Sequence, residues 1–309
     1  MSTQVLPWHV GVRFAHACLQ VMADDYDIDL LHIKGPAVDE TLLSRRLVPD
    51  AESGAVIDQP MPRPSVDADI LVRPSHVKRL FEAMSRHGWQ MAYAFADGSA
   101  FEHASTWTHP SLEHVDVHRK FPGIGLDPAR AFDKLWAQRS TTTIAGLPCA
   151  VPDVTAQRLI LILHAVRGGA LKSADIDNAW VKASDQQRAE VEQLAVSLQA
   201  QVALAAATGR LDEFPDARDY DLWKVLSSRD ASLTRLWLAR VKAQPNPAAA
   251  IRMGVKLIMP NRNRVAQQLG REPRASEMAR EHMHHIGAVA TEVGRLLGAA
   301  GRRITRIGR

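Results

Sequence analysis

The chain has 309 residues, of which 46% are hydrophobic and 23% charged, a balance that excludes a disordered polypeptide and is long enough for two domains. Net charge is +4, but Ala250 to Arg309 hold eleven Arg, one Lys, four Glu and no Asp, so the preceding 249 residues carry an excess of four negative charges. The only cysteines, Cys18 and Cys149, exclude a disulfide framework or a zinc cluster and read as buried thiols in a reducing compartment. No apolar run is long enough to span a bilayer and Met1 to Asp25 lacks the pattern of a signal peptide, so a cytoplasmic protein without stable membrane insertion is expected.

Trp8, Val12, Phe14, Ala15, Leu19 and Met22 predict an amphipathic first helix. Ile28 to Ile33 reads as a buried strand that runs into Lys34-Gly35-Pro36 and a helix over Ala37 to Arg46. Leu47 to Pro64, with four prolines and Gly54, reads as a long loop of the lid or insertion kind. A strand bearing Asp67 and Asp69 follows, and then a helix through His87-Gly88 with Ser75 as its N-cap. Trp89–Phe95, Ala100–Thr108 and Leu112–His118 read as strands, with a turn at Asp97-Gly98 between the first two. A helix over Asp127 to Gln138 and a strand over Thr141 to Ala150 close this region. From Pro152 onward every periodic segment is helical. The expected organisation is an α+β domain over 1–151, a helical domain over 152–270 and a basic, Arg-rich segment over 271–309.

In a strand, residues i and i+2 share a face, roughly 6.6–7 Å apart. Asp67 and Asp69 therefore present two carboxylates together, with Val66, Ala68, Ile70 and Val72 turned to the core. On the later strand Leu112, His114, Asp116 and His118 share one face, which adds a third carboxylate. Three carboxylates suit hard divalent cations that clamp a phosphoryl centre. Lys34-Gly35, after a strand and before a helix, offers backbone donors and a cation to a phosphate. A solvated strand end or a His-Asp-His transition-metal site are the competing readings of these acids.

Together, Lys34-Gly35, Arg63-Pro64-Ser65-Val66-Asp67-Ala68-Asp69-Ile70-Leu71-Val72 and His114-Val115-Asp116-Val117-His118 resemble the uncharacterised nucleotidyltransferase family of the polymerase-β-like superfamily. His164 to Gly168 and Asp175 to Asp177 are similar to that family's first C-terminal helices. The resemblance covers roughly residues 28–185. It implies a nucleotidyltransferase-like mixed β-sheet flanked by helices and followed by an all-α region. It also implies Asp67, Asp69 and Asp116 as the catalytic acids and as ligands of Mg²⁺ or Mn²⁺, with an NTP as substrate. Lys34, Gly35 and Arg63 would hold the triphosphate, and His114, His118, His164 and Arg167 are candidates to orient these groups or line the cleft. Two departures stand out: Gly35-Pro36 replaces the superfamily's Gly-Ser or Gly-Gly, and the loop over 47–62 is long.

The expected activity is transfer of a nucleoside monophosphate to an RNA, protein or small-molecule acceptor, with release of pyrophosphate. The alternative is a catalytically inactive nucleotidyltransferase-like module that binds RNA or a protein partner through its basic half. Oligomeric state and choice of NTP have no signal in the sequence.

Overall fold

Two alternating segments set the layers of the molecule. The computed structural model describes residues 7–50, 55–95, 101–228, 233–287, 290, 291 and 294. Its main sheet is built from β1 (Leu30–Ile33), β4 (Asp67–Val72), β5 (Gln90–Tyr93), β6 (Ala104–His109) and β7 (Leu112–His118). The strands are ordered β1-β4-β7-β6-β5. Only the central pair, β4 and β7, is parallel; the other neighbours are antiparallel, which gives the expected mixed sheet.

Alternation decides the two faces of this sheet. Ala68, Ile70 and Val72 of β4 and Val115 and Val117 of β7 turn to one side. There they meet α1 (Trp8–Asp25) through Val12, Ala15, Leu19 and Met22, and α2 (Val77–Arg86) through Leu80, Ala83 and Met84. Trp8 and Phe14, predicted on the same helix, are exposed, and Val66, expected in the core, stands one residue before β4 and is exposed as well. The opposite face carries the carboxylates. Leu112 departs from the alternation at the turn end of β7 and packs against the α1/α2 core.

Several local expectations are corrected. Ala37 to Arg46 is not a helix: Gly35–Ala37 and Glu40–Leu42 are single 3₁₀ turns. The Asp39 carboxylate closes the second by accepting from the Thr41 N–H at 2.9 Å and from the Thr41 hydroxyl. Leu47 to Pro64 is not a plain loop either, because Arg45–Pro49 (β2) pairs antiparallel with Val56–Pro60 (β3). Val48 and Ile57 oppose one another in that hairpin, and Arg45 Nε donates to Asp58 Oδ2 at 2.6 Å. Pro74 opens a 3₁₀ turn over Pro74–His76, so His76 rather than Ser75 precedes α2, and it makes no side-chain cap. Thr141 to Ala150 is a hairpin, β8 (Ser140–Ile144) and β9 (Leu147–Val151), whose two-residue turn holds Ala145 and Gly146 at positive φ. Cys149 is buried, but Cys18 lies on the exposed side of α1. The turn expected at Asp97-Gly98 lies outside the described residues.

Asp127 caps α3 (Pro128–Ala137), and Asp153 caps α4 (Val154–Arg167) by accepting from Ala156 N at 2.7 Å. A helical turn at Ala174–Ile176 leads into a π-helical stretch, Asp177–Val181, and then α5 (Asp185–Ser197) and α6 (Gln201–Ala207). Among the described residues no strand follows Val151. Contacts divide the chain into two compact units between Arg210 and Leu211. The second contains α7 (Tyr220–Leu226), α8 (Leu233–Lys242), α9 (Pro247–Ile258), α10 (Arg262–Leu269) and a helical stretch over 275–287. Among the described residues no helix is long and apolar enough to cross a membrane.

Candidate active site

Strand register assembles the site from residues far apart in sequence. In the parallel β4–β7 pair Asp69 lies opposite Asp116, Asp67 opposite His114, and Leu71 opposite His118. On the other side of β4, Ile33 of β1 pairs with Asp69, so the next residue, Lys34, leaves its strand beside that carboxylate. β6 places Thr106 opposite Asp116.

The side chains use this placement. Lys34 Nζ lies 2.5 Å from Asp69 Oδ1, and both groups are buried. His118 Nε2 approaches the same oxygen at 2.8 Å. Burial acts to raise the Asp69 pKa, but the charges and hydrogen bonds of Lys34 and His118 outweigh it and hold the carboxyl well below its usual range. Burial lowers the His118 pKa in spite of Asp69. The imidazole is therefore neutral, donates from Nε2, and leaves its buried Nδ1 without a hydrogen bond.

Asp67, two residues before Asp69, has the opposite character. Burial and then the Asp69 charge push its pKa up to about 6, against the pull of Lys34. The Ser65 hydroxyl donates to the Asp67 carbonyl at 2.8 Å and lies 3.3 Å from Oδ1. Thr106 Oγ1 donates to Asp116 Oδ1 at 2.6 Å.

One donor atom from each of Asp69, Asp116 and His118 lies within 4.8 Å of the others. Ligands of one divalent cation at 2.0–2.6 Å lie no more than about 4–5 Å apart, so this trio fits such an ion. Asp67 is outside the trio but on the same strand face.

The Lys34-Gly35 turn differs from its expected form, since it opens a single 3₁₀ turn in place of a helix. Lys34 and Gly35 both have positive φ, 58° and 49°. A Cβ on Gly35 would stand 3.0 Å from the Ser65 Cβ and 4.0 Å from His16 Nε2. Behind the turn, His16 Nδ1 and His32 Nδ1 are 2.8 Å apart, and His32 Nε2 is 3.1 Å from Gln20 Oε1. Burial lowers both histidine pKa values, that of His16 to about 4. His32 donates to Gln20, so His16 must donate to His32 and keep its own Nε2 as a buried lone pair without a partner.

The remaining candidates fall unevenly. Arg63 makes a bidentate pair with Asp175, Nε to Oδ1 at 2.9 Å and Nη2 to Oδ2 at 2.8 Å, so Asp175 binds a cation besides starting a helical turn. Asp177 pairs with Lys182 at 2.6 Å. Arg167 donates to His103 Nε2, and the His103 ring lies 5.1 Å from that of His118. Burial lowers the Arg167 pKa against the pull of Asp69, Asp116 and Asp67. One turn earlier, burial and then the charges of Lys34 and Arg167 bring His164 to about 3. His114 is exposed beside Asp67. Sequence reasoning missed Ser65, Thr106 and His103. Ser65 carried a signal in its place two residues before Asp67, whereas Thr106 and His103 become visible only through strand register.

The family model described as "Uncharacterised nucleotidyltransferase" matches residues 53–214. The chain belongs to this family. The match includes the Asp67/Asp69 strand, Asp116 and the helix α4 that supplies His164 and Arg167. Among solved structures, the chain is similar to the lincosamide antibiotic adenylyltransferase LnuA in its lincomycin-bound form, with 13% identity, 58% of this chain and 92% of that chain covered, and a TM-score of 0.31. It is also similar to an antigenic nucleotidyltransferase-like protein from Paracoccidioides brasiliensis, with 16% identity, 64% and 97% coverage, and a TM-score of 0.35. No curated protein matches the sequence.

Proposed function

We propose that this nucleotidyltransferase-family protein moves a nucleoside monophosphate from an NTP to an acceptor and releases pyrophosphate, supported by Mg²⁺ or Mn²⁺. The observation that carries the reading is the register of β4 and β7, which sets Asp69 beside Asp116 with His118 in reach of both. Asp69, Asp116 and His118 would hold a cation, and Asp67 would complete the acidic face. When bound, the cation supplies charge neutralisation at the phosphates and stabilises the attacking and leaving oxygens.

The chain's own groups divide the remaining work. Lys34 balances the charge of Asp69. It would exchange that partner for the triphosphate, beside the Gly35 backbone. Asp116, held by Thr106, would ligate the cation or accept the acceptor hydroxyl's proton. Arg63 would act through its Asp175 pair, fixing the approach to β4, with its remaining N–H groups turned to phosphate. Arg167, oriented on His103, would meet negative charge at the same cleft.

The test is incubation with α-labelled NTPs, a divalent cation and fractionated cell extract, with γ-labelled ATP in parallel. Label from the α position should enter one fraction and be lost in Asp116→Asn. Transfer from the γ position alone would replace the reading with phosphoryl transfer. Absence of both transfer and any NTP-dependent thermal shift would overturn it.

A further inference from the structure

We infer that the second compact unit, after Arg210, carries a surface that docks on an anionic lipid bilayer without crossing it. The inference is independent of the nucleotidyl-transfer reading. From Ala231 to Arg271 the sequence holds eight Lys or Arg and no Asp or Glu. This acid-free run contains α8, α9 and α10.

Within it, α9 presents aliphatic side chains to solvent. Ile251 and Val255, one helical turn apart, are 68% and 55% exposed, and Met259 at the end of the helix is 59% exposed. Spacings of four residues place them along one stripe. Arg252 and Lys256 are exposed too, each one position on from a stripe residue, so the cations flank the aliphatic row along one side. A second stripe recurs on the helical stretch 275–287, where Met283 is 65% exposed and Ile286 is exposed beside it.

Soluble surfaces rarely leave aliphatic rows like these in water without an occupant. An aliphatic row edged by Lys and Arg, with no acid in the surrounding forty-one residues, is complementary to anionic headgroups above acyl chains. The basic charge alone would also suit RNA, but exposed Ile, Val and Met add nothing to phosphate contacts. Moreover, the sequence has no Phe, Tyr or Trp after Trp237 on which a base could stack. Among the described residues no helix can span a bilayer, so the binding is peripheral.

The test is flotation of the full-length protein with vesicles of phosphatidylcholine alone and with vesicles containing phosphatidylserine. Binding is expected only to the second kind, weakening as salt is raised. Arg252→Glu/Lys256→Glu should weaken it by about fivefold or more for each charge, and Ile251→Ser/Val255→Ser should abolish it. All four positions are exposed, so circular dichroism should report unchanged folding. Three results would overturn the inference: no flotation with anionic vesicles, flotation indifferent to both double variants, or variants that alter only self-association or retention on homopolymeric RNA.

Discussion

Asp67 and Asp69 are one residue apart, yet neutralising them should move stability in opposite directions. Asp69 is buried under Lys34 and His118. Asp69→Asn leaves the buried Lys34 ammonium without its counter-charge, the kind of change that costs about 3–5 kcal/mol. Asp67 instead bears a charge that its surroundings oppose, since its pKa rises from 3.8 to about 6. A folded pKa above the unfolded one means that ionisation weakens the folded state. The penalty is absent below pH 3.8, grows as pH climbs towards 6, and is full above it. The shift alone sets an upper limit of about 3 kcal/mol, and solvent screening of this half-buried group reduces it to about 1–2 kcal/mol.

Urea denaturation in EDTA at pH 7.5 should therefore find Asp69→Asn destabilised and Asp67→Asn stabilised by those amounts, with unchanged m-values. The Asp67→Asn advantage should vanish near pH 4. Lys34→Met should recover much of the Asp69→Asn loss when the two are combined, giving a large coupling energy. Equal losses for the two aspartate variants, or additive effects of Lys34→Met and Asp69→Asn, would refute the electrostatic assignment. Both aspartate variants should lose cation-dependent label transfer, so stability and activity separate at Asp67 and coincide at Asp69.

Three further outcomes follow from the same geometry. The His16 pKa falls from 6.5 to about 4, mainly through burial. Its contribution is present above pH 6.5 and lost as pH drops towards 4, up to about 3 kcal/mol. His16→Gln should therefore flatten the pH dependence of the melting temperature in that window, and an unchanged slope would place the dependence elsewhere. Gly35→Ala forces a side chain onto positive φ and towards Ser65, which should cost about 1–2 kcal/mol in thermal or urea unfolding. Arg63→Lys keeps the charge but not the fork to Asp175. A loss of about 1–2 kcal/mol should appear as a lower urea midpoint.

The parts of the molecule legible in sequence are those governed by alternation. Asp67, Asp69 and Asp116 could be placed on one side of their strands because Ala68, Ile70, Val115 and Val117 had to be buried on the other. Which strands are neighbours was not legible from periodicity. For that reason the pairing of Asp69 with Asp116, and the arrival of Lys34 through Ile33, needed the register. The β2–β3 hairpin was hidden by its prolines, which sit at the ends of its two strands, Pro49 and Pro60, where a missing N–H is tolerated. The pairing of Arg63 with Asp175, 112 residues away, had no local signal either.

The charge balance of the site bears on why Lys34 sits where it does. Asp67, Asp69 and Asp116 face Lys34 and Arg167, while burial keeps His103, His118 and His164 neutral. Arg63 is taken up by Asp175. Three carboxylates against two cations leave one negative charge uncompensated, which adds to burial in raising the pKa of Asp67. A divalent cation at Asp69, Asp116 and His118 would reverse the sign of the site and release Lys34 to a polyphosphate. Cation and nucleotide should therefore bind with positive coupling, each tightening the other by the same factor. Titration calorimetry of an NTP with and without Mn²⁺ measures that factor directly. It should fall in Lys34→Met, whose Asp69 no longer has an internal cation to exchange, to the part the cation supplies by neutralising the phosphates itself. A factor that survives Lys34→Met unchanged would show that Lys34 serves the fold and takes no part in the exchange.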